Sequence, residues 1–312
     1  MFGDRWITAD LPNDVIDLSP GLTLPLEPVA DLEEAYRQAV VRPLDLPPLS
    51  ELARPGARVT IAFDDPTVPC YAPAWRAALP AIVEALLRGG ADERRITLLC
   101  ANALHRKFTH REVAGILGDE VVRRFGDRLL CHDAEDPGSI DHLGDTAAGH
   151  PVEVSRHVTE SDLTVYLNCS TTRGFSGGWK SVCVGLSTYR SIRTHHDPDT
   201  MSMSLHRNRM HDVLDGMGRV VEERLGRERV FKLETVLANP LQVHRVFGGS
   251  VGATRAAVLE LLRSHQRPRR SAVEDPVDVV LYGVPDWSPY AAYSFTNPLL
   301  TLISTGLGYW EG

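Results

Sequence analysis

The 312 residues exceed the usual length of one domain, and 43% hydrophobic with 24% charged residues is an ordinary globular balance, which excludes a largely disordered or collagen-like chain. A net charge of −8 lacks the basic face that phosphate neutralisation needs, so general nucleic-acid binding is excluded and small molecules are the expected partners. The start, Met1-Phe2-Gly3-Asp4-Arg5-Trp6, has neither the basic nor the apolar part of a signal peptide, and no run approaches eighteen apolar residues. Cys70, Cys100, Cys131, Cys169 and Cys183 are odd in number and contain no C-x-x-C, which argues against a disulfide framework or thiolate zinc site and for a reducing cytoplasm.

Residues 1–50 read as an irregular arm ending in a short helix near Asp31–Val41. A βα rhythm then begins, and residues 51–266 are expected to form one α/β domain. Arg58–Phe63 is a β-branched run leading into Asp64-Asp65-Pro66-Thr67, and Ala74–Arg88 has helical spacing ending at Gly89-Gly90. Ile96–Ala101 is a second apolar run, followed by a polar loop through His105 and by Thr109-His110-Arg111-Glu112, the S/T-x-x-E capping box that opens a helix. Arg128–Cys131 and Val152–Val154 read as short strands, and Leu163–Leu167 as a buried strand entering the loop Asn168–Lys180. Helices are predicted at Ser181–Arg193, His206–Arg224 and Gly252–Gln266. Arg267–Ala272 reads as a linker. Residues 273–312 then read as the start of a second, incomplete α/β domain, with a strand at Val277–Val284 and a helix at Tyr293–Ser304.

This alternation predicts a mainly parallel, Rossmann-like sheet with helices on both faces. Ligands of such sheets bind beyond the carboxyl ends of the strands. Asp64–Pro69, Asn102–Thr109 and Asn168–Lys180 each follow a predicted strand, so the fold itself would gather them at one edge.

The densest of these is Arg173-Gly174-Phe175-Ser176-Gly177-Gly178-Trp179-Lys180-Ser181. Its glycines let backbone approach a ligand, and the helix it opens predicts an anion such as phosphate, though Trp179 breaks the P-loop spacing. Lys180 stands out because only it, Lys107 and Lys232 are lysines among 33 basic residues, which suggests that an amine is required. His195-His196-Asp197-Pro198 offers imidazoles suited to nickel or zinc, or else a solvated helix end. His105 is placed to act as a general base. Asp64 and Asp65 suit ribose, proton or metal binding, or a helix cap.

Together these segments resemble the N-terminal catalytic domain of the nickel-pincer-nucleotide-dependent lactate racemase family. The resemblance is carried by Asp64-Asp65-Pro66-Thr67, Leu104-His105-Arg106 with Thr109 and Glu112, Gly174–Lys180, and His196, in order from about Ser50 to Gly252. It implies a racemase or epimerase acting by hydride transfer on a 2-hydroxy acid or related hydroxylated small molecule. The implied cofactor is a pyridinium-3-thioamide-5-thiocarboxylate mononucleotide with nickel, bound covalently to Lys180, with His196 as metal ligand and His105 as acid/base. Asp65, Thr67, Ser176, Gly177 and Gly178 would line the cofactor side, and the cofactor-biosynthesis proteins are implied partners. Two departures concern the substrate: Ser170 stands where the family has a second histidine, and Val68 where it has an arginine. Arg173 is a candidate replacement cation, and Tyr293 and Asn297 align loosely with substrate-side positions of the second domain. The competing readings are a non-catalytic nucleotide- or phosphate-binding protein and a zinc hydrolase.

Overall fold

The computed structural model describes residues 10–12, 14, 15, 26–66, 71–170, 176–202, 204–239 and 242–265. The predicted linker, the strand at Val277–Val284 and the helix at Tyr293–Ser304 lie outside the described residues. Strands β1 (Val59–Asp64), β2 (Ile96–Ala101), β3 (Leu129–Cys131), β6 (Leu163–Ser170), β7 (Val230–Asn239) and β8 (Gln242–Gly249) form one sheet in the order β3-β2-β1-β6-β7-β8. Its pairings are parallel except β7 with β8. Strands β4 (Ile140–Asp145) and β5 (Pro151–Ser155) make a separate antiparallel pair. The fold is therefore α/β with a mostly parallel sheet, as the rhythm predicts.

Side chains alternate across a strand, and that period sorts the sequence onto two faces. Odd positions, Val59, Ile61 and Phe63 of β1, Val165 and Leu167 of β6, Phe231 and Leu233 of β7, enter a largely apolar core without buried charge, in which Thr235 pairs with the Tyr36 hydroxyl at 2.7 Å. That core is covered by α1 (Leu32–Val41), α2 (Leu49–Leu52), α3 (Tyr71–Arg88) and α4 (His110–Leu117), with α5 (Asp119–Phe125) contributing Phe125. Tyr36 of α1 and Leu49 of α2 are fully buried there, so this part of the N-terminal segment packs directly on the sheet. Even positions face α6 (Arg156–Thr159), α7 (Lys180–Cys183), α8 (Tyr189–Ile192), α9 (Arg209–Leu225) and α10 (Val251–Ser264). On this face polar and charged residues enter a fully buried layer: Thr164, Asn168, Ser170, Lys232 and Glu234.

The caps explain most boundaries. Asp31 accepts the Glu34 N–H at 2.9 Å and starts α1, and the predicted capping box of Thr109 and Glu112 forms at α4. Asn208 accepts the N–H groups of Met210 and His211, so α9 starts three residues later than predicted. The predicted helix Ser181–Arg193 is instead two four-residue helices, α7 and α8. Thr188 caps α8 by accepting the Ser191 N–H, while the Ser187 hydroxyl donates to the Glu153 carbonyl at 2.5 Å. A second cap in mid-segment competes with helix continuation, because Ser and Thr offer the backbone another partner.

Candidate functional site

Strands β1, β2 and β6 are neighbours in register, so their carboxyl ends bring Asp64-Asp65, Asn102–His105 and the chain after Ser170 to one edge. Asp64 is the last residue of β1. It accepts the Tyr166 hydroxyl at 3.0 Å and the Cys169 N–H at 3.3 Å. Burial raises its pKa to about 7, against the attraction of the Lys232 ammonium, which lowers it. Asp65 is 3% exposed, and its Oδ2 is hydrogen-bonded to His105 Nδ1 at 2.6 Å. The Asn102 amide donates to the His105 carbonyl at 2.9 Å, and the His105 N–H donates to the Asn102 carbonyl at 2.7 Å. This tight turn puts Ala103 in the left-handed region at φ 49°, a conformation that non-glycine residues adopt at a cost and that clusters at functional sites. The Nδ1 atom of His105 is thus engaged by a buried carboxylate.

The glycine loop is held from below. Glu234 on β7 is fully buried, and its Oε1 accepts the Gly178 N–H at 2.5 Å. Gly177 has φ +77°, and a Cβ placed on it would lie 2.5 Å from Glu234 Oε2. Only glycine supplies both the backbone conformation and the clearance. Helix α7 is a single turn, and the inward N–H of Gly178 is already taken by the chain's own carboxylate. Trp179, which breaks the P-loop spacing, packs on α9, where a Cβ at Gly218 would lie 2.3 Å from its ring.

Lys180 opens α7 directly after this loop. Burial lowers its amine to about pKa 8, with the Asp64 carboxylate opposing the shift. At that value about a tenth of the amine is neutral at pH 7, far more than for a solvated lysine. His196 is lowered to about 4, first by burial and then by repulsion from Lys180, and so stays neutral near pH 7. His195, fully buried, is lowered to about 3 by burial and then by His196. The two rings meet Nδ1 to Nδ1 at 2.8 Å. Among the described residues no group of three or more His, Cys, Asp and Glu side chains gathers as a metal-binding array.

Ser170, in the place of the family's second histidine, is fully buried. Its hydroxyl lies 3.4 Å from Glu234 Oε2 and from the Ser176 hydroxyl, and 3.3 Å from the Asn168 amide nitrogen. Thr67, Arg173, Tyr293 and Asn297 lie outside the described residues. The structure thus joins Asp65 with His105, Lys180 with His196 through their charges, and Ser170, Ser176, Gly177 and Gly178 through Glu234. The sequence reading missed Tyr166, Glu234 and Arg255 altogether, and it flagged Lys232 only as a rare lysine. For Lys232 and Glu234 a signal was available: Val230-Phe231-Lys232-Leu233-Glu234-Thr235-Val236 places two opposite charges at i and i+2 within an otherwise uncharged strand.

Comparison with known proteins bears on this arrangement. The family model for the lactate racemase N-terminal domain matches residues 2–208. Curated lactate racemases from Lactiplantibacillus plantarum and Thermoanaerobacterium thermosaccharolyticum are 27% identical over 187 residues and 25% over 167. These matches cover 58% and 53% of this chain but 43% and 38% of the relatives, so the chain spans less than half the length of the curated relatives it matches. Among solved structures, the lactate racemase apoprotein of T. thermosaccharolyticum superposes with a TM-score of 0.63 at 21% identity, covering 83% of this chain and 60% of that one. A Thermotoga maritima protein gives 0.56 at 18% identity, covering 77% and 60%. At these identities the structural matches establish the fold.

Proposed function

The chain belongs to the lactate racemase N-terminal domain family, and from that premise we propose that it is the cofactor-bearing catalytic part of a nickel-pincer-nucleotide-dependent racemase or epimerase acting on a 2-hydroxy acid or a related hydroxylated small molecule. The observation that carries the reading is the meeting, at one sheet edge, of a carboxylate-held imidazole (Asp65–His105), a half-buried amine of lowered pKa (Lys180) and a neutral, half-buried imidazole (His196).

The residues fit the implied group. Asn102 Oδ1 and Asn168 Oδ1 are buried beside these loops without a hydrogen-bond partner among the described residues, which leaves two polar atoms for a bound group to meet. A single protein imidazole suits a metal whose other ligands belong to a cofactor. When bound, the group supplies a hydride acceptor and the nickel that orders it. Lys180 anchors it, with Asp65, Thr67, Ser176, Gly177 and Gly178 on the cofactor side, and His196 Nε2 ligates the metal. His105 Nε2 takes and returns the proton of the substrate hydroxyl, while Asp65 fixes the tautomer and stabilises the imidazolium.

Ser170 has no useful basicity near neutral pH, and its hydroxyl faces a buried carboxylate. Proton transfer on that side of the substrate therefore does not rest on Ser170, and the two faces of the substrate are handled unequally. Arg173, Tyr293 and Asn297 complete the substrate side, and the cofactor-making enzymes are the transient partners, in a reducing cytoplasm.

The test is intact mass with metal analysis after co-expression with the pincer-cofactor pathway, comparing wild type, Lys180→Ala and His196→Ala. The reading expects an adduct lost in Lys180→Ala and nickel lost in both variants. An unmodified, nickel-free wild type overturns it and leaves the non-catalytic nucleotide-binding reading.

A further inference from the structure

The even face of β7 holds two charges that the function above does not use. Lys232 and Glu234 are both 0% exposed, and both point toward the segment that ends at Lys180. The Lys232 ammonium donates to the Ser181 hydroxyl in the first turn of α7, and it sits 4.2 Å from the centre of the Tyr166 ring. Glu234 takes the Gly178 N–H, and its carboxylate fills the space that a side chain at Gly177 would need. From the other side Arg255 of α10 donates to the Ser176 carbonyl at 2.5 Å, and its stem lies 3.0 Å from where a Gly178 Cβ would stand. The segment Ser176–Ser181 is thus gripped at Ser176, Gly178 and Ser181 by side chains fifty to eighty residues downstream. Lys180 lies between the last two of these grips. Burying two full charges is costly, and a grip of this kind needs a reason beyond packing, since an apolar pair of similar volume is often neutral or stabilising.

We propose that Lys232 and Glu234 are positioning residues for the Lys180 amine, holding the Gly177–Ser181 turn from beneath so that the amine is presented in one pose, shielded from bulk solvent, to the electrophilic group it anchors. The assignment deepens the reading of Lys180 as an anchor and rests on it. Glu234 acts through the acceptor geometry of its carboxylate toward Gly178, and Lys232 through its donor to Ser181. Neither touches the anchored group. The retention of Lys232 in a chain that writes almost every cation as arginine follows from this geometry, because a guanidinium is planar and bulky where a single ammonium must reach one hydroxyl past an aromatic ring.

The chain contains three lysines, which makes the test direct. The cofactor-free protein is acetylated with a water-soluble N-hydroxysuccinimide ester, and labelling at Lys180 is read by peptide mass against exposed Lys107 as internal reference. Hydrogen exchange of the 177–181 amides and a urea melt are recorded on the same samples. Glu234→Leu is expected to raise the Lys180-to-Lys107 labelling ratio at least fivefold and to speed exchange at Gly178. Glu234→Gln keeps an oxygen for the Gly178 N–H and is expected to hold both near wild type even where the melt shows a loss of stability. Lys232→Met is expected to raise the ratio as well, and it serves where Glu234→Leu does not fold.

If Gln behaves like Leu, or if the ratio tracks stability alone across the three variants, the positioning role is overturned and the pair is structural. An unchanged ratio in all variants overturns it equally. These readouts use no cofactor, so they stand or fall separately from the adduct experiment, which tests the anchor reading itself.

Discussion

Strand β7 meets two different interiors within one residue. Phe231 and Leu233 enter a largely apolar core that holds no charge, whereas Lys232 and Glu234, equally buried, enter a layer of charge and hydroxyl. The first face is stabilised by area, at about 25 cal/mol per Å² removed from water, and tolerates exchange of similar volumes. The second gains little from area and depends on each charge keeping its partner. The difference separates the part of the protein that makes it fold from the part that makes its edge chemically useful.

The sharpest way to break this contrast is to change neighbours on β7. Lys232→Met should cost about 3–5 kcal/mol by urea unfolding, because it strands Glu234 and Asp64 in a buried layer. Leu233→Ala should cost about 2–5 kcal/mol through its cavity while leaving Lys180 labelling at the wild-type ratio. A Leu233→Ala protein with altered Lys180 labelling would show that the two faces are not independent.

A second test uses pH. His132, His157 and His211 all have pKa values lowered from 6.5 by burial, so the unfolded chain binds protons that the folded chain refuses. The stability that these rings contribute should therefore be full above about 6.5 and be lost as pH drops below it, each histidine giving a slope of up to about 1.4 kcal/mol per pH unit, while Asp64, raised to about 7, opposes them singly with a slope of the other sign. A urea midpoint that stays flat from pH 7 to 5 would contradict the burial of these rings. The smallest effect concerns the capping box after the His105 loop: Thr109→Ala should cost about 1 kcal/mol in the same assay, leaving the β7 layer untouched.

Much of this arrangement was legible in the residues because it is local. The βα rhythm, the Thr109–Glu112 box and the loops after β1, β2 and β6 follow from period and capping, which act within a turn or a strand. The pairing of Asp65 with His105 was not legible, since it depends on the parallel register of β1 with β2 across some forty positions. The break between α7 and α8 was missed because Thr188 as a cap competes with a helical pattern that reads as continuous. Glu234 was hidden for a different reason. A charge in a strand reads as a solvent-facing position, and only the cover of α7 and α10 makes it a buried acceptor for Gly178.

The i, i+2 spacing of Lys232 and Glu234 has a consequence for how the chain reaches this fold. Phe231 and Leu233 alone would specify the β6–β7 register weakly, since Val230, Thr235 and Val236 are also content in a buried strand. A slip by one residue, however, would turn both charges into the layer against α1 and α3, whose core cluster contains no charged side chain among the described residues. The two charges thereby mark the strand like a notch on a key: misregistered pairings of β7 are excluded during assembly by the same pair that later steadies the glycine turn.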